Sequence, residues 1–125
     1  MKTINTKNAP QAIGPYSQAK VINNFVFTSG QIPLKPDGTM VLNNFELECI
    51  QVLDNIEQIL KASGSSMTNI IKLTVYLTDL SKFDILNNVF NTYFNDSLPV
   101  RSTIEVSNLP KDSRVEIEAI GLINE

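Results

Sequence analysis

Ile71-Lys72-Leu73-Thr74-Val75-Tyr76-Leu77-Thr78 alternates apolar with polar side chains along its whole length. Successive side chains of a strand point to opposite faces, so Ile71, Leu73, Val75 and Leu77 predict one face on a core. What flanks the stretch predicts what covers that face. Upstream, Phe45, Cys49, Val52, Ile56 and Ile59 recur at helical spacing, and Leu53 and Leu60 widen the stripe. Asn43 or Asn44 suits the cap of this helix, Glu46 and Glu48 its first turn, and Gly64 a left-handed exit. Downstream, Ser81 and Asp84 have the spacing of a capping box. Phe83, Leu86, Phe90 and Tyr93 or Phe94 then predict a second amphipathic helix that ends before Pro99.

Further out, Val21-Ile22 and Phe25-Val26-Phe27 flank Asn23-Asn24, residues that tolerate the positive φ of tight turns, and this predicts a hairpin. Gly30, Pro33, Pro36 and Asp37-Gly38 make residues 31 to 40 a loop. Two last strands are expected over Val100 to Val106 and Arg114 to Ile123, with the turn at Leu109-Pro110-Lys111-Asp112 between them. Residues 1 to 125 therefore predict a single α+β domain, a β-sheet with two helices on one face. The other face needs its own cover, for which a further copy of the chain is one candidate.

Composition narrows the chemistry. Cys49 is the only cysteine and histidine is absent, which removes an internal disulfide and the usual zinc ligands. No acidic run has the spacing of a calcium or magnesium loop, so no metal is expected. Net charge is −3 with the basic residues scattered, which argues against a nucleic-acid partner. Met1 to Pro10 is polar and no stretch is apolar enough to span a bilayer, so the expected location is cytoplasmic and no membrane contact is expected.

Without histidine, acid-base work falls to carboxylates, lysines, tyrosines or water where strands meet loops. Four segments qualify: Gly14-Pro15-Tyr16-Ser17-Gln18-Ala19, Thr28-Ser29-Gly30-Gln31-Ile32-Pro33, Pro99-Val100-Arg101-Ser102-Thr103, and Leu109-Pro110-Lys111-Asp112 running on to Glu116-Ile117-Glu118-Ala119. In this order they closely resemble the signatures of the reactive-intermediate deaminase family, the Rid or YjgF-like proteins of the RidA subgroup. The resemblance runs from about Thr3 to Gly121 and rests on the collinearity of four motifs, each weak alone.

The resemblance implies a chorismate-mutase-like α+β fold with a mixed β-sheet, a homotrimer with sites between subunits, and no cofactor. It implies hydrolysis of reactive 2-imino and enamino acids, 2-iminobutanoate and 2-iminopropanoate, to 2-keto acids and ammonia, which protects pyridoxal-phosphate enzymes. Residue by residue, Arg101 takes the place of the arginine that binds the substrate carboxylate, a role suited to two parallel guanidinium hydrogen bonds. Glu116 takes that of the acid that handles water. Tyr16 and Ser29 fall beside the imino group and the water, Gly30 where backbone meets ligand, and Asn87 on the second helix. Thr103 stands where many relatives carry cysteine, a departure that bears on pocket volume and on preference among imino acids.

Other readings of the same residues stay open. Glu116 and Glu118 share a strand face, so periodicity does not choose between them, and both also suit a solvated edge. Arg101 also suits a strand salt bridge, and Asn87 a surface amide. Two further functional classes are a non-catalytic sensor of small carboxylates and a ribonuclease or translation inhibitor. In the first, Glu116→Gln keeps affinity; in the second, pure protein binds RNA in a salt-dependent way.

Overall fold

In the computed structural model, which describes residues 1–95 and 97–124, the Ile70–Leu77 strand lies inside a six-stranded mixed sheet. In chain order the strands are β1 (Lys2–Ile4), β2 (Ala19–Ile22), β3 (Phe25–Thr28), β4 (Ile70–Leu77), β5 (Val100–Glu105) and β6 (Val115–Leu122). Across the sheet the order is β1-β2-β3-β6-β4-β5, antiparallel except for the parallel pair β4 and β5. A parallel neighbour requires a crossover, and helix α2 (Phe83–Tyr93) supplies it between β4 and β5. Helix α1 (Phe45–Ala62) makes the longer crossover from β3 to β4, which leaves room for β6 between them.

Both helices turn their apolar stripes to one hydrophobic core. Val52, Leu53, Ile56 and Ile59 from α1 and Leu86 and Phe90 from α2 are buried there with Val26, Leu73, Val75, Leu77, Val115 and Ile117 from the sheet. Asn44 caps α1 by accepting from the Leu47 N–H at 3.0 Å, and Gly64 takes a φ of 83° just past its end. Asn23 takes the positive φ of the hairpin turn, at 53°.

Two expectations need correction, and one strand is additional. Ile71 is exposed, because a bulge between Ile70 and Lys72 shifts the register and sends Ile70 to the core in its place. The Ser81 and Asp84 box does not form: a 3₁₀ turn over Leu80–Lys82 precedes α2, and Asp79 caps that turn by accepting from the Ser81 N–H at 2.9 Å. The polar opening segment holds a strand, β1, which the period-two pattern is too short to announce and which pairs with β2 by backbone hydrogen bonds.

The second sheet face carries Phe25, Phe27, Ile22 and Leu122 open to solvent, each more than two fifths exposed. Apolar side chains grouped in this way are the kind of surface that proteins use for interaction.

Candidate active site

The candidate residues fall into two groups, and the register of the sheet separates them. Arg101 and Thr103 on β5 are level with Leu73 and Val75 of β4, so they point to the helix side. Glu116 and Glu118 on β6 are level with Tyr76 and Thr74, so they point to the open side. Parity thus puts Arg101 and Glu116 on opposite faces of one sheet.

Around Glu116 the structure gathers Tyr16, Gly30, Gln18, Gln31 and Pro110 about a small cavity of about 40 Å³. That volume holds a water molecule or a small substrate group. A bulge shapes the site. Phe27 is level with Ile120 and Gln31 with Ile117, so β3 and its extension take four steps (27 to 31) against three (117 to 120) on β6. Thr28 compensates, because its Oγ1 accepts the Ala119 N–H at 3.0 Å that the broken ladder leaves unpaired. Gly30 sits in the bulge, where a Cβ would lie 2.8 Å from Cδ and Oε2 of Glu116. Its missing side chain makes room for the carboxylate itself, whereas the sequence had suggested room for a ligand.

Tyr16 lies on the strap from Pro10 to Ser17 that roofs the cavity. Its hydroxyl accepts the Ile13 N–H at 3.2 Å, and a phenol that accepts still has its own proton to donate. The strap is tied down from below. Buried Gln18 donates to the carbonyls of Thr6 and Pro10 and accepts from the Thr6 N–H, while Ser29 Oγ donates to the Ser17 carbonyl at 2.5 Å. The Ser29 hydroxyl proton is therefore committed to the strap, which leaves its oxygen as an acceptor.

The two glutamates are held differently. Glu118 accepts the Tyr76 hydroxyl at 2.6 Å. Glu116 has no hydrogen-bond partner among the described residues, and burial, with Glu118 adding to it, pushes its carboxyl above the usual glutamate range.

On the helix side the Arg101 guanidinium stacks on two rings of α2, 5.2 Å from the centroid of Phe83 and 5.0 Å from that of Phe90. Among the described residues the ion pairs are Lys61 with Glu57 and Arg114 with Glu48, so Arg101 has no carboxylate partner there. Burial pulls its pKa below the usual guanidinium value. The neighbouring Thr103 Oγ1 is buried without a hydrogen-bond partner. Asn87, four residues after Phe83 and three before Phe90, shares their side of α2. Sequence reasoning had Phe83 and Phe90 only as core; they are the aromatic bracket of Arg101. It also missed Gln18 and Gln31, although both lie within the motif segments.

A wider groove of about 610 Å³ between α1 and α2 is lined in part by Arg114 but by none of the candidate site residues. No three histidine, cysteine, aspartate or glutamate side chains converge among the described residues, and no helix is long and apolar enough to cross a membrane.

Against known proteins, residues 6–123 match the family described as Endoribonuclease L-PSP. A RutC family protein of Pyrococcus horikoshii is 49% identical over 121 residues, covering 96% of each chain. The 2-iminobutanoate/2-iminopropanoate deaminase of Mus musculus is 45% identical, covering 97% of this chain and 90% of the mouse protein. Among solved structures, E. coli TdcF with bound serine superposes with a TM-score of 0.95 at 40% identity, covering 99% of this chain and 100% of TdcF. A match of this extent in sequence and fold fixes kinship, and the chain belongs to the Endoribonuclease L-PSP family, the Rid or YjgF-like proteins.

Proposed function

We propose that this chain hydrolyses small 2-imino acids, 2-iminobutanoate and 2-iminopropanoate, to 2-keto acids and ammonia. The observation that carries the proposal is the pair of charged groups uncommitted among the described residues: a guanidinium without a carboxylate partner there and a carboxylate without a donor there. The mouse deaminase name and the serine bound to TdcF support a ligand with an amino-acid-like carboxylate.

Because Arg101 and Glu116 face opposite sides of their own sheet, one chain does not close a site around a single small molecule. The reading therefore includes a homotrimer in which Arg101 of one subunit meets Glu116 of the next, its open sheet faces covered by neighbouring copies. Arg101, with Asn87 and Thr103 beside it, holds the substrate carboxylate. Glu116 takes a proton from water as the water oxygen attacks the imine carbon, which gives a carbinolamine. It then returns that proton to nitrogen, with Tyr16 and Ser29 positioning the reacting groups. Because the imine enters protonated, its nitrogen is now an ammonium; the C–N bond breaks, ammonia leaves, and the hydroxyl passes its proton to Glu116 as the carbonyl forms. An imine already invites water, so acid-base help of roughly a hundred- to ten-thousand-fold is enough.

The test generates 2-iminobutanoate from threonine with a dehydratase, traps surviving imine with semicarbazide, and compares wild type with Arg101→Ala and Glu116→Gln. Faster keto-acid formation by wild type alone supports the proposal. No acceleration by wild type over several imino acids overturns it. A Glu116→Gln chain that still binds a 2-keto acid, beside a wild type without turnover, assigns the site to a carboxylate sensor.

A further inference from the structure

Tyr76 is the register partner of Glu116, yet its hydroxyl reaches past it and donates to Oε1 of Glu118 at 2.6 Å. The ionisable groups on the elements around Glu116 are few. The strap brings Tyr16, β4 brings Tyr76 and, further along the same face and level with Ile120, Lys72, and β6 brings Glu118; the β3 extension brings only the uncharged Gly30 and Gln31, and the turn before β6 carries Lys111 and Asp112 after Pro110. Ile104 of β5, one strand beyond Tyr76, is apolar. Arg114, two residues before Glu116, is turned onto Glu48 of α1 by two hydrogen bonds. Of these charges it is the like charge of Glu118 that acts on Glu116, and a tyrosine fixes its place.

Resting on the reading of Glu116 as the acid-base group, we propose that Tyr76 and Glu118 form a positioning pair: the phenol pins the Glu118 carboxylate beside Glu116, and that fixed like charge makes Glu116 hold its proton more tightly. A like charge disfavours ionisation of its neighbour. The raised proton affinity of Glu116, with Glu118 among its causes, agrees with this, as does Tyr76 itself, pushed up to about 12 first of all by its bond to Glu118. The consequence is chemical. A group that must take a proton from water and return it to nitrogen works best when its proton affinity lies near the working pH.

A purely structural cross-strand pair would leave the titration of Glu116 unchanged. The test therefore follows the carboxyl resonance of Glu116 by NMR in the full chain labelled with ¹³C-glutamate, assigned through Glu116→Gln. It is measured in wild type, Glu118→Gln and Tyr76→Phe. Glu118→Gln still accepts the Tyr76 hydrogen bond, so it removes the charge alone. Its expected effect is to lower the Glu116 midpoint by about half a pH unit or more. Tyr76→Phe, which frees the charge to move away, lowers it by less. The acidic limb of the hydrolysis profile, kcat/KM against pH, moves by the same amount. A midpoint that stays put in Glu118→Gln overturns the pairing, even with turnover intact; a midpoint that moves without imine turnover supports it and overturns only the hydrolytic reading.

Discussion

Gly30 leaves Glu116 no slack, since any side chain there would occupy the carboxylate's position. Gly30→Ala is expected to fold normally and to lose about ten- to a hundred-fold in imine hydrolysis, because a reacting group displaced by about 1 Å forfeits that much. Circular dichroism and the semicarbazide-coupled assay check the two halves of this statement. Glu116 also leaves a mark on stability. Its raised pKa means that the folded chain binds the proton more tightly than the unfolded chain, so it favours folding below the ordinary glutamate value of 4.5 and loses that contribution as pH rises. Glu116→Gln should accordingly melt at a higher temperature than wild type at pH 7, with the difference vanishing as pH falls below that value. A pH series of melting curves shows whether it does. The sequence showed both glutamates on one face but not which was free, since that turns on the diagonal reach of Tyr76, a long-range contact without local signature.

The ion pair of Glu48 and Arg114 joins the first turn of α1 to the start of β6, beside the candidate base. The Glu48 side chain is 3% exposed and that of Arg114 37%, so the partners are not equivalent. Arg114→Ala strands a buried carboxylate and is expected to cost roughly 2–4 kcal/mol, whereas Glu48→Gln leaves an arginine that can turn to water and costs roughly 1–2 kcal/mol. Urea unfolding of both variants tests the order as well as the size. Elements such as these were largely legible. Helix α1 with its Asn44 cap and Gly64 exit, and the hairpin at Asn23, follow from spacing and turn chemistry. What misled was local competition. The bulge at Ile71 breaks a clean alternation because β6 sets the register, and Asp79 captures the start of the α2 region ahead of Ser81.

For the molecule as a whole, the open face of Phe25, Phe27, Ile22 and Leu122 calls for a partner, and the trimer reading makes that partner the chain itself. Light scattering should then give three times the 13.9 kDa chain mass. Phe25→Asp, which puts a charge between Ile22 and Leu122 in the centre of the patch, should yield smaller species with weaker hydrolysis. A wild-type monomer would leave Arg101 and Glu116 without each other. The motifs gave these two residues as one site; their separation came only from counting register across β4, β5 and β6.

Because the arginine and the glutamate belong to opposite faces, damage to one and damage to the other become separable lesions. Chains carrying Arg101→Ala and chains carrying Glu116→Gln, each silent alone, would complement when unfolded together and refolded as a mixture. Random assembly would rebuild roughly a quarter of the clefts from the intact half of each type. The two defects combined in one chain would not be rescued by further copies of that chain.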